Sequence, residues 1–279
     1  MKTSVIISTY NCPHWLEKVL FGYACQTVKD FEVIIADDGS GAETRQLIRR
    51  FAACFPVPLR HVWHEDHGFR KCAILNKAIA AAKGDYLVFT DGDCLPRADF
   101  LAEHLRHAEK GRFLSGAYCR LPLKTSLEIA EADIRSQRCF EVGWLRKHGY
   151  APTIKWLKIL ARPLGLDGLL NALTPAHATF NGNNSSCRAE DARAIGGFDE
   201  RMGYGGEDRE FGYRLRNAGI RPKLIRYSAL CLHLEHERGY VDTQMRVENE
   251  KIIAATRAHK TCKTEFGCAS AATVGQESN

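Results

Sequence analysis

"DYLVFTDGD", residues 85–93, is the stretch on which the fold turns. An apolar run this short, entered after a glycine and closed by two acids, reads as a buried strand that delivers Asp91 and Asp93 to its carboxyl end. Immediately before it, "KCAILNKAIAAAKG", residues 71–84, carries helical spacing, with Gly84 as the expected C-terminal stop. The same alternation extends to the N-terminus. "SVIIST" (residues 4–9), "FEVIIADDGS" (31–40) and "LRHVWHE" (59–65) read as strands, the second running into a turn. "HWLEKVLFGYACQT" (14–27) and "AETRQLIRRFAACF" (42–55) read as helices. Strand–helix alternation with short turns predicts βαβ units and an α/β fold with a mostly parallel central sheet flanked by helices. In such sheets ligands bind beyond the carboxyl ends of the strands, where both "ADDGS" and "TDGD" fall.

Composition bounds the classes. The 279 residues are enough for one large domain or two fused ones. A net charge of +6 excludes a strongly basic nucleic-acid binder, so no nucleic-acid partner is expected. The eleven cysteines include no CxxC pair and are irregularly spaced, which predicts reduced thiols in a cytoplasmic protein; disulfides are the alternative. The N-terminal apolar run is too short for a signal peptide, and no stretch approaches a membrane span.

Residues 121–178 break the rhythm. Residues 127–149 read as one long helix, and residues 153–170 as a helix with Lys155, Lys158 and Arg162 along one side. The second is either a surface helix packed on the core or a basic amphipathic helix touching an anionic membrane surface. Residues 261–279 are small and polar and predict a flexible tail.

Several short motifs could carry chemistry. Asp91 and Asp93, two apart in a turn, can converge on one hard cation such as Mg²⁺ or Mn²⁺; a solvated acidic turn is the plain alternative. Asp37 or Asp38 could accept hydrogen bonds from a base or a ribose, or simply cap an Asp-Gly turn. Gly68, Arg70 and Lys71 at a helix start favour a diphosphate. In "GYGGEDREFGYRL", residues 203–215, Glu207 and Asp208 fall in a first helical turn, where the helix dipole favours carboxylates. Capping explains the acids but not the glycine pair before them; glycines there let backbone approach a ligand and leave one acid free as a general base. His233 and His236, three apart, could complete a metal site begun by Asp93, though such a pair is more often structural.

Taken together, "SVIISTYN", "FEVIIADDGS", "GFRKCAILNKAIAAAKGDYLVFTDGDCLP", "FNGNNSSCRAEDARAIGGFDERMGYGGEDREFGYRLRNAG" and "HLEH" resemble the inverting nucleotide-sugar glycosyltransferases of family 2, which implies the GT-A, Rossmann-like fold with residues 121–178 as an inserted helical region. The second half also resembles the galactosyltransferase-type C-terminal module of chondroitin-polymerase domains and animal β-1,4-galactosyltransferases. The resemblance runs from about Thr3 to Gly239, with 121–178 unmatched. It implies a donor half (1–120), an insertion facing acceptor or membrane surface (121–178) and an acceptor and catalytic half (179–260). It implies Asp38 at the uracil of a UDP-sugar with Thr9 nearby, Asp91 near ribose and metal, and Asp93 as the metal ligand. His236 matches the metal-binding histidine better than His233. Asn183 and Gly206 match positions lining the sugar pocket, Asp208 the catalytic base, and Glu207 the acid beside acceptor and donor sugar. A related retaining group carries Gly-Gly-Glu-Asn where this chain has aspartate, so inversion is expected. The implied reaction is metal-dependent transfer of a hexose or N-acetylhexosamine to a glycan or glycolipid of the bacterial envelope, such as lipopolysaccharide, in the cytoplasm or peripherally on the inner membrane. The alternatives are a non-catalytic nucleotide- or glycan-binding protein on the same scaffold, and a nucleotidyltransferase. The latter would more often carry a Gly-rich phosphate loop after the first strand.

Overall fold

The computed structural model describes residues 1–236 and 243–268. The β-branched run of the N-terminus forms β1 (Thr3–Thr9), central in a parallel block with β2 (Phe31–Asp37), β3 (Leu59–Trp63) and β4 (Tyr86–Asp91) in the order β3-β2-β1-β4. Alternate side chains leave opposite faces of such a strand. Val5 and Ile7 therefore pack under α1 (Pro13–Ala24) and α2 (Ala42–Ala52), with Leu16, Val19, Tyr23, Leu47 and Phe51. Ile6 faces the other way, toward α3 (Lys71–Ala81) with Ile74, Ala78 and Ile79. Burial on both faces explains why these strands read as unbroken apolar runs.

After β4 the chain forms β5 (Cys94–Pro96), α4 (Phe100–His107), β6 (Arg112–Ser115) and β7 (Ala117–Arg120). It then runs through a set of short helices to β8 (Ser185–Arg188), α10 (Ala189–Ala194), α11 (Glu207–Asn217), β9 (Arg221–Leu224), β10 (Leu230–His233) and α12 (Thr243–Ala258). β8 joins antiparallel between β4 and β6, and β9 closes the seven-stranded sheet beside β6. Strands from both halves of the chain thus share one sheet. A smaller sheet, β5-β10-β7, carries His233. Among the described residues no helix is long and apolar enough to cross a membrane. All eleven cysteines are free, as the absence of a disulfide-like spacing predicts.

The structure corrects four expectations. Residues 127–149 are three helices, α5 (Leu123–Glu128), α6 (Glu131–Arg135) and α7 (Val142–Lys147), with a 3₁₀ turn between the last two. Ile129 is extended, Asp133 Oδ2 accepts the Ala130 N–H at 2.9 Å to start α6, and Gln137 turns left-handed at φ 61°. Gln137 Oε1 also accepts the Ala98 N–H at 2.8 Å, so a tertiary contact stabilises the break. Residues 153–170 likewise divide into α8 (Leu157–Leu160) and α9 (Asp167–Leu173), because Pro163 lacks an amide hydrogen and Gly165 takes φ 69°. The three cations do not share a face: Arg162 is drawn to Glu103 at 2.9 Å, while Lys158 Nζ donates to the Tyr118 carbonyl at 3.0 Å. Gly84 is not the stop of α3, which ends in extended backbone at Ala82; a Cβ at Gly84 would lie 2.6 Å from the Ser4 amide nitrogen, so close strand approach demands the glycine. Finally, residues 261–268 are packed rather than loose. Thr264 Oγ1 donates to Asp199 Oδ2 at 2.9 Å, and the Glu200 N–H donates to the Phe266 carbonyl at 2.7 Å. The rest of the expected tail, 269–279, and residues 237–239 of the resembling stretch lie outside the described residues.

Candidate active site

Register builds the site. β1 pairs Thr9 with Asp37 of β2 and Ser8 with Asp91 of β4, so the carboxyl ends of three strands finish level. Beyond them opens a cavity of about 490 Å³. It brings together Thr9, Asp38, Asp91, Asp93, Asn183, Gly206, Glu207, Asp208, His233 and His236 from positions scattered along the chain. Of the site residues expected from sequence, Asp37 and Arg70 do not line it; the Arg70 side chain is exposed.

The first acid pair separates by direction. Asp37 turns inward, accepting the Ser40 N–H at 2.9 Å and contacting His61 Nε2 at 2.8 Å, and so holds the turn. Asp38 faces the cavity with His64 Nε2 at 2.7 Å from one oxygen and the Arg70 N–H at 2.9 Å from the other. Arg70 therefore contributes its backbone, not its guanidinium. Burial raises the Asp38 pKa despite those hydrogen bonds. Thr9 Oγ1 and Asn183 Oδ1, both buried, have no hydrogen-bond partner among the described residues, so each is available to a ligand.

Lys71, the first residue of α3, sits among the acids. Its Nζ donates to Asp91 Oδ1 at 2.9 Å and lies 3.7 Å from Glu207 Oε1; Ser8 Oγ donates to the same Asp91 oxygen at 2.6 Å. Burial works against the ammonium, but Asp91 and Glu207 raise its pKa well above that of an ordinary lysine. Sequence reasoning offered Arg70 and Lys71 alike at the helix start; the phase of the first turn puts only the Lys71 side chain in the cavity and is not readable in a two-residue motif.

The Gly-Gly-Glu-Asp turn has a backbone reason for its glycines. Gly205 and Gly206 take φ of 103° and 92°, a left-handed pair that would strain any other residue. The pair swings the chain into α11, whose first two residues are the acids. Asn249 of α12 clamps the turn, its Nδ2 donating to the carbonyls of Gly203 at 2.9 Å and Gly205 at 2.8 Å. Asp208 accepts the Gly182 N–H at 3.0 Å and the Arg209 N–H at 2.7 Å. Burial raises the pKa of Glu207 and of Asp208; the Asp208 charge adds to the rise at Glu207, and the Asp91 charge to the rise at both. Asn249, Arg246, and the aromatic wall of Phe69, Tyr118 and Tyr204 escaped the sequence reading, because no local motif marks them.

A divalent cation fits the remaining wall. His236 Nε2 lies 2.7 Å and His233 Nε2 3.4 Å from Asp93 Oδ2, and the two rings stack 4° from parallel. Burial opposes the Asp93 carboxylate, yet the hydrogen bond with His236 and the nearness of His233 hold its pKa below the usual aspartate value. Cys94 Sγ is close as well, with its thiol pKa pushed well up by burial. One carboxylate and two imidazoles, in a cavity lined by five carboxylates against Lys71 and Arg246, form a donor set for an ion such as Mn²⁺. A second group, Glu103, His107 and Asp167, is not comparable, since Arg106 and Arg162 neutralise its acids.

A parallel sheet with acids at its strand ends, closed by an antiparallel extension, is the GT-A architecture of sugar-nucleotide enzymes. Residues 4–122 match the model of glycosyl transferase family 2, and residues 174–237 match that of the N-terminal domain of galactosyltransferase. The first of these segments is thus similar to glycosyl transferase family 2 and the second to a galactosyltransferase domain. It is 31% identical over 244 residues to validoxylamine A glucosyltransferase of Streptomyces hygroscopicus subsp. jinggangensis (84% of this chain, 56% of that one). It is 28% identical over 246 residues to chondroitin synthase of Escherichia coli (83% of this chain, 34% of that one). The chain therefore spans about half or less of the length of these relatives. Two solved structures share the fold. The mannosyltransferase PcManGT from Pyrobaculum calidifontis, in complex with GDP-Man and Mn²⁺, superposes with a TM-score of 0.62 at 21% identity over 92% of this chain and 64% of that one. TarS 1-349 of S. aureus, in complex with UDP-GlcNAc, gives 0.61 at 18% identity over 93% and 69%.

Proposed function

We propose that the chain is an inverting, divalent-metal-dependent transferase that moves a hexose or N-acetylhexosamine from a UDP-sugar to a glycan or glycolipid hydroxyl. The observation that carries this reading is Asp208: a carboxylate of raised pKa, fixed by the Gly182 and Arg209 N–H groups, in the same cavity as Asp93, His233 and His236. Each Asp208 oxygen keeps a lone pair beyond its backbone hydrogen bond, so the carboxylate takes the proton of the attacking hydroxyl. Glu207, tied to the Gly205 N–H at 3.1 Å and facing Lys71, orients hydroxyls beside it. Asp38 and Thr9 hold the nucleoside, and Asp91 the ribose. Lys71 offers its charge to the diphosphate. Asp93 and His236, with His233 beside them, would hold Mn²⁺ or Mg²⁺, which would supply charge neutralisation for the departing diphosphate.

The setting follows as part of the same proposal: bacterial envelope polysaccharide or lipopolysaccharide synthesis on the cytoplasmic face of the inner membrane. Ile154 is 82% exposed and Leu173 69%, with Leu157, Leu164 and Leu169 also exposed and Lys155 beside Ile154. This ridge suits peripheral contact with anionic lipid. Sedimentation with anionic liposomes checks it; equal recovery in the supernatant for wild type with and without liposomes at low salt ends the membrane part. The central test is calorimetric titration with UDP, first with Mn²⁺ and then with EDTA. Metal-dependent binding is expected, and no binding under either condition defeats the donor assignment.

A further inference from the structure

Beside the acidic cavity lies a second one, of about 330 Å³, and its lining is basic. Arg120, Lys155, Lys158, His177 and Arg226 face it without a single Asp or Glu. Arg120 is held by Glu235. Lys155, Lys158 and Arg226 form no salt bridge among the described residues, and the buried Nε of Arg226 has no hydrogen-bond partner there. Burial lowers the Lys158 pKa, and the charges of Arg226 and Lys155 push the same way. Like charges gathered without a counter-charge cost free energy in the empty protein, and a bound anion relieves that cost.

The two cavities adjoin. Tyr118 lines both. Asn181 lines the basic one, while the next two residues, Gly182 and Asn183, line the acidic one. Gly182 is the residue whose N–H fixes Asp208. The basic groove therefore begins in the segment that positions the carboxylate facing the incoming hydroxyl, whereas the residues suited to a metal and a nucleotide belong to the other cavity. Tyr118 offers an aromatic face between the two, a surface on which a sugar ring packs.

We propose that this groove is an acceptor subsite for a phosphate or carboxylate group, so that the acceptor is an anionic glycan or glycolipid; the inference rests on the transferase reading of the neighbouring cavity. Two cations with free hydrogen-bonding capacity suit a phosphate, and the fork of Arg226 suits either oxyanion. Because the groove is open to solvent, its attraction weakens with ionic strength.

The test uses the full chain with UDP and Mn²⁺ present, titrated with glucose 1-phosphate, methyl glucuronide, farnesyl diphosphate and, as the neutral control, methyl glucoside. At least one anionic probe is expected to bind tenfold or more tightly than methyl glucoside. Arg226→Gln and Lys158→Gln should each erase about tenfold of that preference, the scale of one charged hydrogen bond, while Arg226→Lys keeps most of it. Preference for methyl glucuronide identifies a uronate, for glucose 1-phosphate a sugar phosphate, and for farnesyl diphosphate alone a lipid-borne phosphate. Equal binding of charged and neutral probes, or a preference untouched by both glutamine variants, overturns the proposal. UDP affinity, read in the same samples before the probes are added, reports on the donor cavity separately, so its failure beside an intact anion preference sinks only the donor reading.

Discussion

Two cavities that share Tyr118 carry opposite charge. One gathers Asp38, Asp91, Asp93, Glu207 and Asp208 around Lys71 and Arg246; the other gathers Lys155, Lys158 and Arg226 around no acid. Each carries an excess of one charge and so suits an occupant of the other. In the acidic cavity five carboxylates outnumber Lys71 and Arg246, which suits the proposed metal and the diphosphate it would neutralise. The basic groove lacks anions and takes an anionic acceptor. Placing the pair side by side keeps Asp208, the proposed base, near the seam between them, held by the N–H of Gly182.

The largest effect should come from the seam itself. Asp208→Asn is expected to lower kcat by about 10²–10⁴-fold, the usual weight of general-base catalysis, while leaving UDP affinity nearly unchanged. Loss of UDP binding in that variant would make Asp208 a structural residue and dissolve the contrast between the cavities. The raised pKa of Asp208 adds a pH signature. Only the ionised carboxylate accepts a proton, so the rate falls as pH drops through the raised value. The acid limb of the pH–rate profile should therefore lie above the ordinary aspartate value of about 3.9 and vanish in the asparagine variant.

A smaller effect should mark the metal wall. Asp93→Ala is expected to weaken Mn²⁺-dependent UDP binding by about 10–100-fold, since it removes the oxygen that both histidines face. Mn²⁺ with UDP should raise the melting temperature of the wild type, because a ligand bound only by the folded state stabilises it by mass action. EDTA should reverse the rise, and Asp93→Ala should not show it. Unchanged metal dependence in this variant would move the cation elsewhere among the carboxylates.

The acidic cavity was legible in the sequence and the basic groove was not, for a physical reason. Asp38, Asp91, Asp93 and the Glu207–Asp208 pair each lie at the end of a regular element, where a strand or helix start fixes direction within a few residues. The groove draws on β7, on the break between α7 and α8, on residues 177–181 and on the stretch after β9, so only tertiary packing unites it. Lys155 and Lys158 were read as one side of a single helix, either packed on the core or touching a membrane; that helix is broken at Pro163 and Gly165, and both lysines line the groove. Lys71 against Arg70 shows the same limit at smaller scale, since one residue of helical phase separates a site cation from a surface one.

The smallest effect tests why the glycines precede the acids. An alanine at Gly206 must hold φ near 92°, which costs about 1–2 kcal/mol for a residue with a Cβ. That Cβ would also lie 2.9 Å from Ile253 Cδ1, which is buried and must shift. Gly182, also in the acidic cavity, offers a control, because a Cβ there meets Lys71 Nζ at 3.6 Å and Asp208 Cβ at 3.9 Å, both ordinary contacts, and its φ is not left-handed. Gly206→Ala should therefore lower the melting temperature by several degrees, at about 2–4 °C per kcal/mol for a chain near this size, and Gly182→Ala by much less. Their activities should sort differently, since Gly206→Ala displaces the start of α11 and with it both acids, whereas Gly182→Ala only narrows the seam. Equal melting temperatures for the two variants would mean that the glycine pair serves clearance for a ligand alone and that the left-handed turn costs nothing to substitute.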